Sequence, residues 1–97
     1  MAKGIWVATY RGVSKPDALA EYAKLAAPAI AAGGGKFLAR GEAQYAYENG
    51  VKQRTVVIEF PSVAAAVATH DGAAYQAALK ALAGGADREI RIVEGME

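Results

Sequence analysis

Three residues of types that commonly carry chemistry occur in this sequence, namely His70, Glu59 and Arg40. His70 is the single histidine, and an imidazole can act as a general base near neutral pH. Glu59 lies within an apolar run, where a desolvated carboxylate can accept and return a proton. Arg40 could hold an anionic group of a substrate or pair with Glu59. We therefore take His70 and Glu59 as candidate catalytic residues and Arg40 as a candidate substrate-binding residue.

Each of these residues also has a structural interpretation. His70 stands beside Asp71 at the end of a helical stretch, and a histidine there favours the carbonyl end of the helix. Glu59 and Arg40 could form an ion pair that fixes the register of two strands or the seam of a dimer. The residue types alone leave both interpretations open.

Aromatic residues supply further candidates. Trp6 and Tyr10 share one face of a predicted strand, and Tyr45 and Tyr47 share one face of another. Such rings could line an apolar cavity, and we expect Trp6 and Tyr10 to contact a substrate there. The alternative is that the four rings fill the core or an interface.

No metal or cofactor site is expected from the sequence. The chain has no cysteine and one histidine, which are too few ligands for a structural zinc site. The run Gly33-Gly34-Gly35-Lys36 differs from a phosphate loop because Phe37 replaces the required Ser or Thr.

The composition limits the class of protein. A chain of 97 residues with 54% hydrophobic residues predicts one folded domain over residues 1–97. The net charge is +1 and there is no run of Lys or Arg, so neither a nucleic acid nor an anionic membrane is an expected partner. No apolar run has the length of a membrane span, and no signal-peptide pattern precedes the first strand. We therefore expect a cytoplasmic protein.

The pattern of apolar residues predicts four strands and two helical regions. Residues 54–61 form the longest β-branched run, apolar on both parities, which is typical of an inner strand. Asn49-Gly50 predicts a hairpin turn before this run, and Gly41 predicts either a bulge or a close approach of another backbone segment. Pro28 predicts a bend or break in the first helix, and Asp71-Gly72 an interruption of the second. The predicted elements are strands over 5–10, 37–47, 54–61 and 89–94, a helix capped by Ser14 that ends at Gly33, and a helical region from Ser62 to Gly84.

The order strand, helix, strand, strand, helix, strand predicts an α+β fold of the ferredoxin-like type. In this βαββαβ arrangement a four-stranded antiparallel sheet carries both helical regions on one face. The other face would carry Val57 and either Trp6 and Ala8 or their odd-numbered neighbours. Apolar residues on an uncovered sheet predict a second layer, and the simplest one is a second copy related by a two-fold axis.

Five blocks of the sequence resemble a known family. They are Lys3 to Ala8, Phe37 to Gly41, Val56 to Ser62, Tyr75 to Ala78 and Ile92 to Gly95. These blocks resemble DUF1330, a domain of unknown function in the dimeric α+β barrel superfamily. The resemblance implies a homodimer whose two sheets close into a barrel. Superfamily relatives include cofactor-independent monooxygenases, lactone isomerases, haem-binding enzymes and ligand-sensing domains. Fold analogy alone does not choose among these activities.

Two functional hypotheses follow. The first is a homodimeric barrel that binds a small, partly apolar molecule in each protomer. It would perform a cofactor-independent oxygenation or isomerisation with His70 or Glu59 as base and Arg40 as anion-binding residue. The alternative is a non-catalytic ligand-sensing or interaction module whose polar residues only fix the dimer. Whether the protein is an enzyme is left open by the sequence.

Overall fold

The strand predicted over residues 54–61 lies inside the sheet, as expected. The fold, obtained as a computed structural model, is described for residues 2–96. Its elements are β1 (Gly4–Val13), α1 (Pro16–Ala32), β2 (Lys36–Glu42), β3 (Arg54–Phe60), α2 (Val63–Asp71), α3 (Ala73–Leu82) and β4 (Ala86–Glu94). The strands form one four-stranded sheet in the order β2-β3-β1-β4, and every neighbouring pair is antiparallel. The predicted ferredoxin-like α+β fold is therefore confirmed.

Residue parity divides the sheet into two faces with different environments. On β1 and β3 the even-numbered residues are buried in the core together with helix residues, and these are Trp6, Ala8, Tyr10, Val56, Ile58 and Phe60. Because side chains alternate along a strand, the odd-numbered residues Ile5, Val7 and Val57 lie on the opposite, open face. Of the two parities considered from the sequence, the odd-numbered one lies on the uncovered face.

Helix α1 differs from its prediction at its start, where Ser14 was the expected cap, and at Pro28. Lys15 and not Ser14 precedes the helix, without a side-chain cap, and the Ser14 backbone N–H donates to the Gly85 carbonyl at 2.9 Å. The helix continues through Pro28 without the expected break. Pro28 and Lys24 are both exposed, so water can satisfy the Lys24 carbonyl that the proline leaves without a donor.

The second helical region follows its prediction closely. The Ser62 hydroxyl accepts a hydrogen bond from the Ala65 backbone N–H at 3.0 Å, which satisfies a free donor at the start of α2. Gly72 has an extended backbone and separates α2 from α3. The start of α2 lies directly against Gly4, where an added Cβ would stand 2.7 Å from the Val63 nitrogen.

The β2–β3 hairpin contains the largest departure from the predicted structure. β2 ends at Glu42, and Tyr45 and Tyr47 lie in the following loop with exposures of 75% and 78%. Gly50 N–H donates to the Tyr47 carbonyl at 2.9 Å, so the turn is centred on Glu48 and Asn49, one residue before the predicted Asn49-Gly50 pair, and Glu48 has a positive φ. A second tight turn, from Gln53 N–H to the Val51 carbonyl at 2.8 Å, prevents a continuous ladder up to the turn.

An irregularity in β2 moves Arg40 to the helix face. Phe37 opposes Ile58, whereas Ala39 opposes Val57 and Arg40 opposes Val56, so one extra residue is accommodated beside Leu38. The bulge predicted at Gly41 is therefore wrong in position. Because of the extra residue, Phe37 and Arg40 share a face although they are three positions apart.

Candidate ligand-binding cleft

A narrow cleft lies between α1 and the helix face of the sheet. Its apolar wall comes from aromatic rings and from small aliphatic residues of α1, and these are Trp6, Tyr10, Tyr22, Phe37, Ala23, Ala26, Ala27 and Ile30. The sheet adds Ala8, Val56 and Ile58 together with three arginines, namely Arg40 of β2, Arg54 of β3 and Arg88 of β4. The volume accessible to water inside the cleft is about 40 Å³. The total empty space, which includes open solvent at the mouth, is about 390 Å³.

Arg88 organises the inner end of the cleft. It opposes Tyr10 in the β1–β4 ladder, and its Nη1 donates to the Tyr10 hydroxyl at 2.8 Å and to the Tyr22 hydroxyl at 3.2 Å. Its Nη2 makes a longer contact of 3.5 Å with the Tyr75 hydroxyl. The guanidinium also lies 4.5 Å from the centre of the Tyr22 ring, a distance at which a cation is attracted to the ring face.

These contacts stabilise the positively charged form of Arg88. Burial by itself lowers the pKa of the guanidinium, but the charges and hydrogen bonds of Tyr22 and the charges of Tyr10 and Tyr75 outweigh it and raise the pKa above its ordinary value. Arg88 is therefore a permanent cation, and it can donate hydrogen bonds but cannot accept them.

Two buried phenols form the wall behind Arg88. The hydroxyl oxygens of Tyr22 and Tyr75 are 2.5 Å apart, and their rings meet edge to face. Burial, followed by the charge and hydrogen bond of Tyr22, raises the pKa of Tyr75 well above its ordinary value. Tyr75 therefore keeps its proton throughout the neutral range, and one phenol of the pair donates to the other.

Arg54 and Arg40 are the other two cations of the lining. Arg54 is placed 5.9 Å from the Tyr10 ring, and its Nε is buried with no hydrogen-bond partner within residues 2–96. Arg40 covers the Phe37 ring at 4.8 Å and is exposed at the mouth. The nearest carboxylate by register is Glu42, which opposes Arg54, yet no ion pair joins the two in the described part of the chain.

The lining can donate hydrogen bonds but has almost no side chain that accepts them. The described residues of the lining include no Asp, Glu, His, Asn or Gln. The hydroxyl oxygens of Tyr10 and Tyr22 already accept hydrogen bonds from Arg88. The side chains of the lining therefore offer more hydrogen-bond donors than free acceptors. The arrangement can therefore bind and orient a group rich in acceptors.

Three of the five residues selected from the sequence lie together in this cleft. Trp6, Tyr10 and Arg40 contribute to its lining, although they face the helices of their own protomer and not the open face of the sheet. Tyr45 and Tyr47 lie outside it, because β2 ends before them.

The two proposed bases lie away from the cleft. His70 is not part of the lining, and its ring packs against Trp6 and Tyr75 at 5.7 and 5.2 Å while Nδ1 contacts the Asp71 carboxylate at 3.0 Å. Glu59 is on the open face, 3.9 Å from Lys3 Nζ. The expected pairing of Glu59 with Arg40 does not occur, since the two strands present them on opposite faces.

Sequence reasoning missed Arg54, Arg88 and Tyr22. Arg88 was left out because β4 was predicted to begin at residue 89, whereas it begins at Ala86. The signal was present, since Arg88 has the same parity as Ile90 and Ile92, both of which pack against the core. Arg54 likewise shares its parity with the buried Val56, and Tyr22 lies on the buried face of α1.

Other kinds of site are not found in the part of the chain that the structure describes. Within residues 2–96, no three His, Cys, Asp or Glu side chains are grouped so that they could hold a metal ion. The same residues contain no helix with the length and apolar character needed to cross a bilayer.

Solved structures of similar fold come from several bacteria. A protein of unknown function from Rhodopseudomonas palustris aligns with a TM-score of 0.73 and 21% identity, over 99% of this chain and 84% of that one. A dimeric ferredoxin-like protein of unknown function from Thermobifida fusca aligns with a TM-score of 0.64 and 18% identity, over 96% and 91% of the two chains. SnoaB, a cofactor-independent oxygenase from Streptomyces nogalater, aligns with a TM-score of 0.58 and 14% identity, over 99% and 93%.

These similarities establish the fold, since identities this low do not transfer an activity. None of the curated proteins matches the sequence. The family assignment comes from the sequence itself, because residues 3–96 match the family described as a domain of unknown function, DUF1330. With that match extending over nearly the whole chain, this protein belongs to the DUF1330 family.

Proposed function

We propose that the protein is a homodimer in which each protomer binds a small, partly apolar molecule in the cleft between α1 and the sheet. The observation that carries this proposal is the lining of the cleft. Four aromatic rings and the small side chains of α1 enclose a space that also contains three guanidinium groups. Clefts of mixed apolar and polar lining are the usual form of a small-molecule site.

The dimer is supported by the open face of the sheet. Ile5, Val7 and Val57 lie at its centre, and Val93 on β4 is 52% exposed. Ion pairs lie among them or beside them, including Arg11 Nη2 with Glu89 at 3.1 Å and Arg91 Nε with Glu89 at 3.2 Å. The apolar residues support burial against a second copy, since contiguous exposed apolar surface marks an interaction site, and the ion pairs fit the polar rim of such a surface. The dimeric description of the Thermobifida protein agrees with this expectation.

The geometry favours binding over proton transfer. A cofactor-independent oxygenation or isomerisation would require a base at the bound molecule, and the lining of the cleft contains neither a carboxylate nor an imidazole. His70 reaches the cleft only through the rings of Trp6 and Tyr75. A ligand-binding or sensing role therefore uses every residue that lines the site, whereas His70 and Glu59 have no part in it.

Trp6 makes the proposal directly testable. It is the single tryptophan of the chain, it lines the cleft, and only 1% of it is exposed. Native mass spectrometry of freshly purified protein would report the number of copies and any retained molecule. Quenching or enhancement of Trp6 fluorescence would then measure the binding of added amphiphiles such as hexanoate and hexanamide.

A matched pair of helix variants locates the binding site. Ala23→Leu fills the cleft from α1, whereas Ala20→Leu adds the same group at an exposed position of the same helix. We expect the first to weaken binding by about tenfold or more and the second to leave it unchanged, because a filled cavity excludes the molecule. Equal binding by both variants, or no binding by the unaltered protein, would remove the proposal.

A further inference from the structure

We infer that the cleft selects amphiphilic carboxylates, which Arg54 and Arg40 hold by the anionic end while the rings and α1 contact the apolar end. This inference rests on the proposed function and specifies its ligand class. Three features of the cleft support it: the buried Arg54 Nε without a hydrogen-bond partner in the described chain, the lack of acceptor side chains in the described lining, and the small volume of the cleft.

Arg54 provides an unused donor. Its Nε is buried and has no hydrogen-bond partner within residues 2–96. A buried donor without a partner is unfavourable, and a bound anion that accepts from it removes that cost. The Nε and one terminal nitrogen of a guanidinium form the planar fork that matches the two oxygens of a carboxylate.

The net positive charge of the cleft lining also favours an anionic ligand. Arg40, Arg54 and Arg88 contribute three positive charges, and no carboxylate belongs to the described lining. The positive charge of Arg88 is already solvated by the three tyrosine hydroxyls. Arg54 and Arg40 have no such hydroxyl partners within the described chain, and each lies near one aromatic ring, Tyr10 for Arg54 and Phe37 for Arg40. They are therefore the two cations left to bind an anion.

The enclosed volume agrees with a planar anionic group. A solvent-accessible volume of about 40 Å³ has room for roughly three water-sized groups. The carbon and two oxygens of a carboxylate match that space better than a tetrahedral phosphate. Ala23, Ala27 and Ile30 contribute apolar side chains to the same lining, which suits a short apolar tail.

The test compares three probes that share one tail and differ in the head group. Hexanoate, hexanamide and hexylamine would be titrated at constant ionic strength, with Trp6 fluorescence and the shift of the melting temperature as independent measurements of binding. We expect hexanoate to bind about tenfold or more tightly than hexanamide, since charge-assisted hydrogen bonds are the stronger kind. Hexylamine should bind least, because its cation meets three others.

Variants assign the preference to the two arginines. Arg54→Gln should abolish the preference for hexanoate, and Arg54→Lys should retain only part of it, because the ammonium keeps the charge without the planar fork. Arg40→Gln should weaken the preference. Lys80→Gln, which removes a positive charge at an exposed position of α3 outside the cleft, is the control and should change nothing.

The comparison on the unaltered protein decides the question even if a variant fails to fold. Equal binding of hexanoate and hexanamide would overturn the carboxylate preference while leaving a small-molecule site in place. Tighter binding of hexylamine would also overturn it. Absence of binding by all three probes at millimolar concentration would overturn both the preference and the proposed function.

Discussion

Arg40 and Glu59 occupy opposite faces of one sheet, although their strands are hydrogen-bonded neighbours. Arg40 opposes Val56, whose side chain is buried among the helices, whereas Glu59 opposes Ile5 on the open face and lies 3.9 Å from Lys3 Nζ. The two charges therefore belong to separate environments, the cleft and the surface on which a second copy is proposed to pack.

The first prediction follows from this separation. Arg40→Ala should weaken hexanoate binding by about tenfold, because it removes a charge-assisted contact, and should leave the dimer intact. Glu59→Ala should leave hexanoate affinity within about twofold, since its side chain never enters the cleft. Fluorescence titration and sedimentation of both variants provide the measurements. Loss of binding in Glu59→Ala would contradict the assignment of faces.

The second prediction concerns the open face. Val57→Asp places a carboxylate in the middle of the apolar surface, and its burial in a dimer would be strongly unfavourable. Analytical ultracentrifugation should therefore find particles of the single-chain mass, 10.0 kDa, where the unaltered protein sediments at twice that mass. Ala31→Asp, at an exposed position of α1, is the control and should remain dimeric. A single-chain mass for the unaltered protein would refute the dimer itself.

The third prediction concerns stability at alkaline pH. Burial and the neighbouring Tyr22 raise the pKa of Tyr75, so the unfolded chain releases this proton at a lower pH than the folded protein does. The stabilising effect is complete below about pH 10, the ordinary value for tyrosine, and declines as the pH rises above it. Tyr75→Phe should make this decline shallower, by up to about 1.4 kcal/mol per pH unit.

The measurement for Tyr75 is urea unfolding at about pH 8, 9.5 and 11. At the lowest pH the variant should be less stable by about 1 kcal/mol, because it loses the hydrogen bond to Tyr22. Tyr45→Phe serves as the control, since this ring is largely exposed and the decline should persist in it. An unchanged alkaline decline in Tyr75→Phe would show that another group causes it.

The fourth prediction concerns a close backbone contact. A Cβ at Gly4 would stand 2.6 Å from the Ser62 carbonyl carbon and 2.7 Å from the Val63 nitrogen. Gly4→Ala should therefore lower the free energy of unfolding by about 1–3 kcal/mol, because the start of α2 must shift. Gly41→Ala is the matched control on β2, where an added Cβ meets nothing within 4 Å. Thermal unfolding of both variants tests the difference, and equal melting temperatures would contradict it.

The fifth prediction separates His70 from the site. His70→Ala should leave hexanoate affinity within about twofold, because the imidazole is behind Trp6 and Tyr75. The variant should lose about 1 kcal/mol of stability with these ring contacts. Titration and urea unfolding measure the two effects. A loss of hexanoate affinity well beyond twofold, in a variant that remains folded, would show that His70 belongs to the binding site.

Much of the fold was predictable because local patterns and tertiary packing agree. The apolar run of β3, the cap at Ser62 and the break at Gly72 each act over a few residues, and each is found in the structure. The ferredoxin-like order then follows from the connection rules for such elements. No break occurs at Pro28, because its exposed position lets water replace the missing hydrogen bond.

The cleft was predictable only in part. Trp6 and Tyr10 were identified because strand alternation places them on one face. Alternation failed at β2, where the extra residue beside Leu38 reverses the parity and brings Arg40 next to Phe37. Arg40 was a plausible partner for Glu59 because their strands are neighbours in the hairpin, but the register that separates them could not be read from the sequence. Such an insertion leaves no mark in composition or spacing, so only coordinates reveal it.

The irregularity beside Leu38 also affects how copies of this chain can meet. β2 is an edge strand, and a regular edge offers a template on which further strands can add without limit. The extra residue interrupts that template, because the backbone groups there no longer follow a regular spacing. Growth through this edge into open-ended fibrils is thereby discouraged, which leaves the broad open face of the sheet as the surface for the proposed pairing of two copies.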